Sequence, residues 1–157
     1  ILPSGLETTI DKIEVAGQEV KEAFAPQSAV LHLKDDIDVS RGDMIVKADS
    51  LPKQSNELEL LMCWMDNKSL VAGNKYLLQL NNRRTKAVIK NIDYRLDVNS
   101  LERQEAPEKI SLNDIIKVDI KTASPVVFDA YESLSNSGSA ILIDETSNVT
   151  VGACMII

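Results

Sequence analysis

Ile115-Ile116-Lys117-Val118-Asp119-Ile120-Lys121-Thr122 decides the fold class, because apolar and charged side chains alternate along it without a break. A β-strand turns successive side chains to opposite faces, so a two-residue period predicts a strand between a core and water. The inward face is expected to carry Ile116, Val118 and Ile120, with the two lysines and the aspartate facing outward.

Several other segments show the same strand pattern. The segment 57–65 places its large apolar residues at alternate positions, on a face formed by Leu58, Leu60, Met62 and Trp64. A long strand is predicted at residues 86–99, with a buried side formed by Val88, Ile92, Tyr94, Leu96 and Val98. Shorter strands are predicted at residues 28–34, 140–143 and 149–155.

Turn-forming residues separate these strands at near-regular intervals, at residues 16–17, 40–43, 72–74, 135–138 and 144–148. No segment has the period of a long amphipathic helix. Residues 101–110 are polar and contain Pro107, which predicts a loop or one helical turn, and residues 111–114 predict a short turn. Short strands joined by turns are typical of barrels and sandwiches, so the chain is predicted to be all-β.

Composition and charge exclude or disfavour several classes of function for this chain. The 157 residues are 44% hydrophobic and carry a net charge of −7, which fits a globular protein and disfavours nucleic-acid binding as the main activity. The longest apolar run, residues 60–65, is far shorter than the ~18 residues of a membrane span, and no signal peptide is visible. Cys63 and Cys154 fit no metal or disulfide spacing. A cytoplasmic location is therefore predicted.

Two candidate sites precede residue 50, a possible catalytic histidine and a possible calcium loop. The sequence pattern supports neither of them. His32 is the single histidine, and strand alternation places it on a polar face, which indicates an exposed strand residue. Asp36, Asp38 and Ser40 resemble the start of a calcium loop. That alignment puts Arg41 where glycine is required and Lys47 where the bidentate glutamate belongs, so the calcium hypothesis fails.

Two more candidates lie between residues 67 and 86. Asn67-Lys68-Ser69-Leu70 begins like the guanine-reading Asn-Lys-x-Asp motif, but Leu70 replaces the aspartate and the chain has no phosphate-binding loop. The group Asn81-Asn82-Arg83-Arg84-Thr85-Lys86 is basic, and it fits either a solvated strand entry or a contact with an acidic partner or RNA. No catalytic, cofactor-binding or metal-binding residue is assigned, so this chain alone is expected to be inactive.

A family resemblance runs along the whole chain. Residues 36–46, Asp-Ile-Asp-Val-Ser-Arg-Gly-Asp-Met-Ile-Val, resemble the turn that closes the second domain of translation-factor-like GTPases. More specifically, the chain resembles the GTP-binding large subunits of bacterial sulfate adenylyltransferases. The supporting segments follow in order at residues 2–5, 22–25, 64–65, 97–102, 112–115, 128–131 and 141–153.

The resemblance implies two β-barrels like those of elongation factor Tu, the first of them incomplete. Residues 1–52 would be the later part of the middle barrel and residues 53–157 the C-terminal barrel, with a polar, proline-containing boundary at residues 50–55. Because the chain starts without Met and stops inside an apolar run, it is expected to be part of a longer polypeptide.

The resemblance also implies partners and cofactors outside this chain. GTP and magnesium would bind an upstream GTPase domain, and ATP would bind a separate catalytic subunit that forms adenosine 5′-phosphosulfate from ATP and sulfate. This chain would be a non-catalytic scaffold that contacts both. The alternative is a pair of elongation-factor barrels that contact tRNA, which only Arg83, Arg84 and Lys86 favour.

Overall fold

The computed structural model describes residues 1–105 and 107–157, and almost all of its regular structure is β. The described chain divides into two compact units, Ile1–Asp49 and Ser50–Ile157. The all-β prediction is confirmed, because the one helix among the described residues is a single turn, Ser135–Gly138.

The first unit is built on a three-stranded antiparallel sheet. Its strands are β1 (Ile10–Val15), β2 (Gln18–Val20) and β3 (Ala29–Leu33), in the order β2-β1-β3. A two-residue turn joins β1 to β2, and both of its residues have positive φ, 50° at Ala16 and 77° at Gly17. This geometry matches the right-handed twist of the flanking strands, which explains the tight hairpin.

The second unit contains the remaining elements. In chain order these are β4 (Lys53–Trp64), β5 (Lys75–Leu80), β6 (Arg83–Leu96), β7 (Arg103–Glu105), β8 (Ile115–Phe128), α1 (Ser135–Gly138), β9 (Ser139–Ile143) and β10 (Thr150–Ile156). The strands pair in the order β5-β9-β10-β4-β8-β6-β7, and β6 also pairs with β5. Six strands therefore close into an antiparallel barrel, while β7 lies along the far end of β6. Closure pairs the strand edges that an open sheet would expose.

Alternation along the strands fills the barrel with apolar side chains. Trp64, Leu60 and Met62 of β4 are completely buried, as are Ile116 and Val118 of β8. The indole ring of Trp64 meets the ring of Tyr76 edge-on, with 5.8 Å between the ring centres. The inward faces predicted for residues 57–65 and 115–122 are thus confirmed.

The predicted inward face of the strand at residues 86–99 is wrong at both ends, and at the far end Val98 is 59% exposed and lies beyond the last strand residue, Leu96. The strand runs from Arg83 to Leu96, and Ala87 and Ile89 are the buried residues while Val88 is half-buried and faces outward. Irregularities between Ile89 and Asn91 and between Ile92 and Tyr94 shift the register against β8. A β-bulge adds a residue to one strand and reverses the facing beyond it, so no single alternation describes β6.

The remaining differences concern short or atypical elements. Strands β1, β2 and β5 were not predicted, and β7 lies within the segment predicted as a loop or helical turn. Strand β8 extends beyond the predicted residue 122 to Phe128, through a register shift opposite Ser55–Glu57 on β4. The turn predicted at residues 135–138 is the single helical turn α1.

Candidate interaction surfaces

The outer face of β4, β8 and β6 carries an ion-pair network centred on Lys117. Its Nζ lies 2.9 Å from Glu59 Oε2 on β4 and 3.1 Å from Asp93 Oδ2 on β6. Hydrogen bonds to Glu59 and then to Asp93 raise the pKa of Lys117 above its ordinary value of 10.5. The bulge in β6 leaves Asp93 between the residues paired with Val118 and Lys117, which brings its carboxylate beside the ammonium group.

A shallow groove of about 450 Å³ lies beside this network, with polar walls formed by Glu57, Glu59, Lys90, Asn91 and Asp119. The Glu59 and Asp119 carboxylates are on directly paired residues, an arrangement that disfavours the sheet unless cations lie nearby. No group of three or more His, Cys, Asp or Glu side chains in residues 1–105 and 107–157 is arranged to hold a metal ion.

The basic group predicted at residues 81–86 lies at the β5–β6 turn and the start of β6. Arg84 and Lys86 are exposed, and they occupy alternate positions with the buried residues Thr85 and Ala87. The Nε of Arg84 donates a hydrogen bond of 2.7 Å to Gln79 Oε1 on β5. These side chains therefore face outward from the barrel wall.

The tetrapeptide that begins like a guanine-reading motif has a structural role. Its Lys68 carbonyl accepts a hydrogen bond of 2.8 Å from the indole of Trp64, and Ser69 Oγ accepts one of 3.1 Å from the Ile110 amide. Leu70 is 3% exposed and belongs to the core. The loop is thus held to the barrel by Leu70, Ser69 Oγ and the Lys68 carbonyl, while the side chains of Asn67 and Lys68 are exposed.

In the first unit, His32 belongs to an exposed charged cluster. Its Nε2 lies 3.2 Å from Glu14 Oε1, and Lys12 also contacts Glu14. The hydrogen bond from Lys12 is the main cause that lowers the pKa of Glu14. Among the described residues, no serine or cysteine side chain forms a hydrogen bond with His32, so no nucleophile–base pair is assembled there.

Two of the acidic residues that follow β3, Asp35 and Asp43, accept hydrogen bonds within the first unit. Asp35 Oδ2 accepts a hydrogen bond of 2.8 Å from Thr8 Oγ1, and Asp43 Oδ2 accepts one of 2.9 Å from the Ser40 amide. Asp36 and Asp38 line an open depression of about 650 Å³ beside β3. This arrangement fits the solvated turn that the failed calcium alignment indicated.

The two cysteines are free and lie on neighbouring barrel strands. Cys154 points into the core, and burial raises the pKa of its thiol to about 12. Cys63 is half-buried on the other side of the wall, opposite Ala153. Neither thiol is placed as an activated nucleophile, since such cysteines need exposure and nearby positive charge.

The described part of the chain contains no helix both long and apolar enough to cross a membrane.

Comparison with known proteins identifies relatives of the closed barrel and of the whole chain. A family model described as GTP-eEF1A C-terminal domain-like matches residues 57–157, which cover all strands of the closed barrel apart from the first four residues of β4. A solved structure of sup35 complexed with GDP matches 99% of this chain and 38% of that chain, with a TM-score of 0.87 and 15% sequence identity. At that identity the likeness concerns the fold alone.

Sequence relatives match the chain from end to end. Sulfate adenylyltransferase subunit 1 of Teredinibacter turnerae is 42% identical over 156 residues, which are 99% of this chain and 33% of that protein. The bifunctional enzyme CysN/CysC of Mycobacterium tuberculosis is 39% identical over an alignment of 158 positions, which covers 100% of this chain and 26% of that protein. The chain thus spans a third or less of each of these relatives. It belongs to the GTP-eEF1A C-terminal domain-like family and, along its whole length, it is a relative of sulfate adenylyltransferase subunit 1.

Proposed function

We propose that this chain is the C-terminal, non-catalytic barrel part of the GTP-binding subunit of a sulfate adenylyltransferase. In the complete assembly, a separate catalytic subunit would transfer the adenylyl group of ATP to sulfate, releasing pyrophosphate. GTP hydrolysis on an upstream domain would help to drive this unfavourable reaction. The observation that carries the proposal is the 42% identity to a subunit 1 protein over 99% of the chain.

Within that assembly, residues 1–52 would form the later part of a middle barrel and residues 53–157 the complete C-terminal barrel. A closed barrel is suited to a mechanical role, because every strand is held on both sides. A rigid barrel can hold a GTPase domain and a catalytic subunit in a fixed relative position. Coupling between the two requires contacts that differ between the GTP and GDP states.

Contact with tRNA is the alternative role, and the cations at the start of β6 are its only support. Of the two sequence relatives described above, one is a sulfate adenylyltransferase subunit and neither is named as a translation factor, which favours the first role. The alternative predicts binding to tRNA that weakens steeply with salt, because phosphate contacts release counterions.

The test compares the full-length GTP-binding subunit with a version that lacks the 157 residues of this chain. Each is mixed with the catalytic subunit from the same organism, and the mass of the complex is measured by light scattering. We expect the full-length subunit to form the complex and the shortened one to lose it. GTP hydrolysis by the shortened subunit controls for its folding. Retention of the complex by a shortened, GTP-hydrolysing subunit would contradict the proposed docking role.

A further inference from the structure

Positive charge is segregated into one segment of this acidic chain. Residues 67–92 contain no aspartate or glutamate, yet they contain Lys68, Lys75, Arg83, Arg84, Lys86 and Lys90. The rest of the chain has 11 lysines and arginines against 24 acidic residues, a net charge of −13. A solvated surface does not require such a separation of charge, since interspersed charges are equally soluble.

The fold gathers four of these cations on one exposed surface. Strand β5 pairs with the start of β6 from Lys75 opposite Val88 to Leu80 opposite Arg83. Their outward positions carry exposed side chains that we call the basic face: Lys75, Arg84, Lys86 and Lys90. At ~3.3 Å per residue, Arg84 and Lys90 are separated by about 20 Å along β6.

The cations of this segment make few ion pairs, although Lys90 lines the same groove as Glu57, Glu59 and Asp119. Among the described residues, Lys86 is the only one of the six within 4.0 Å of a carboxylate, at 3.9 Å from Glu145. The guanidinium of Arg84 is held in place by Gln79 rather than by an acid. The half-buried side chains of Leu77 and Val88 lie between the cations and add an apolar floor.

We propose that the basic face binds an extended, acidic segment of the catalytic subunit, an inference that rests on the proposed function. The length of the basic face along β6 fits a segment of about six residues in extended conformation. The apolar floor suits a protein partner, since interface cores are depleted in charge and gain from aliphatic contacts.

Nucleic acid fits this surface less well than an acidic protein segment. Single strands are held by exposed aromatic rings on which bases stack, whereas the only aromatic side chain in residues 67–92 is Tyr76, which is 7% exposed. The charge of −13 on the rest of the chain would also repel a long polyanion. A short acidic protein segment avoids that repulsion because it covers only the basic face.

The test uses the full-length subunit with the triple substitution Arg84→Gln, Lys86→Gln and Lys90→Gln. The matched control is Lys21→Gln, Lys34→Gln and Lys47→Gln, which removes the same charge from exposed lysines of the first unit. Binding of the catalytic subunit is measured by interferometry between 50 and 300 mM salt, and thermal unfolding verifies that both variants fold. A dT12 oligonucleotide serves as the nucleic-acid probe.

We expect the basic-face variant to bind the catalytic subunit at least ~10-fold more weakly at low salt, with a shallower salt dependence, and the control to stay within ~2-fold of wild type. Equal binding by wild type and both variants would overturn the inference and leave the proposed function intact. Failure of the wild type to bind would overturn both. Binding of dT12 by wild type, lost in the basic-face variant, would overturn the choice of a protein partner.

Discussion

Gly138 lies directly against the backbone of Tyr131: a Cβ atom on Gly138 would be 2.5 Å from Tyr131 Cα and 2.6 Å from its nitrogen. This contact lies in the connection between β8 and β9. There the Tyr131 amide donates to the Ile156 carbonyl at 2.8 Å, and the Gly138 amide donates to Leu134 at 2.9 Å. Hydrogen bonds therefore fix the backbone at both residues of this contact. Only glycine fits at position 138, because any other residue would place a Cβ atom against the Tyr131 backbone.

Replacing Gly138 with alanine should destabilise the barrel. A methyl group at that position would push against backbone that is fixed by hydrogen bonds, and overpacking of this kind costs about 3 kcal/mol. Urea denaturation, followed by the fluorescence of Trp64, the single tryptophan, measures the change in the free energy of unfolding.

Gly152→Ala is the matched control for this substitution. Its Cβ would lie 2.6 Å from Met62 Sδ, the flexible end of a side chain that can change rotamer. We expect a cost of about 1 kcal/mol, because methionine adapts its shape more readily than backbone does. A cost for Gly152→Ala that equals or exceeds that of Gly138→Ala would refute the explanation by backbone contact.

Lys117→Met should destabilise the barrel by about 1 kcal/mol at pH 7, because it leaves Glu59 and Asp93 without their shared cation. The pKa of Lys117 is raised in the folded state above the ordinary 10.5, so its ion pairs stabilise the fold fully below that pH. The difference between wild type and variant should stay constant from pH 7 to about 10 and shrink as the pH rises further.

Urea denaturation at pH 7, 9 and 11 measures this difference. Lys121→Met is the control, since Lys121 Nζ lies 3.7 Å from Glu57 and both side chains are more exposed than those of Lys117 and Asp93. We expect little change for the control at any of these values. A Lys117→Met effect that is absent at pH 7, or that grows above pH 10, would show that the ion pairs do not stabilise the fold.

The strands with one uninterrupted alternation could be predicted from sequence, and the interrupted ones could not. Ile116, Val118 and Ile120 repeat every second residue and are all buried. In β6, the bulge between Ile89 and Asn91 depends on the register with β8, which no local pattern encodes. Strand β5 escaped prediction, although the core residues Tyr76, Leu78 and Leu80 alternate within it.

The candidate surfaces were predictable to different degrees. The basic group at residues 81–86 was visible in the sequence, and its extension to Lys75 and Lys90 follows only from the pairing of β5 with β6. The absence of acidic residues from 67 to 92 is a sequence signal that could have identified the whole surface. The meeting of Lys117 with Asp93 could not be predicted, because it depends on a bulge.

The two free thiols should differ sharply in reactivity. Cys154 is buried, and the pKa of its thiol is raised to about 12, so almost none of it is thiolate at pH 8. Cys63 is half-buried and should react first with a thiol reagent such as Ellman's reagent. In a Cys63→Ala variant, Cys154 should react only as the barrel unfolds. Rapid reaction of native Cys63→Ala would show that the core around Cys154 opens.

Ile110 should contribute to stability although it lies outside the strands, in the connection between β7 and β8. Its side chain is completely buried in the core, and its amide donates to Ser69 Oγ, so it attaches this connection to the barrel end. Ile110→Ala removes three buried carbon atoms and leaves a cavity, which costs about 2–4 kcal/mol. Denaturation in urea measures the loss.

Leu112→Ala, two residues along the same connection, is the control, since Leu112 is 45% exposed. Its truncation should cost less than about 1 kcal/mol, because the side chain already contacts water. The amide of Ile110 is unchanged in both variants, so the comparison isolates side-chain burial. Similar small losses for both variants would mean that the connection is held by its backbone hydrogen bonds, with little contribution from the buried isoleucine.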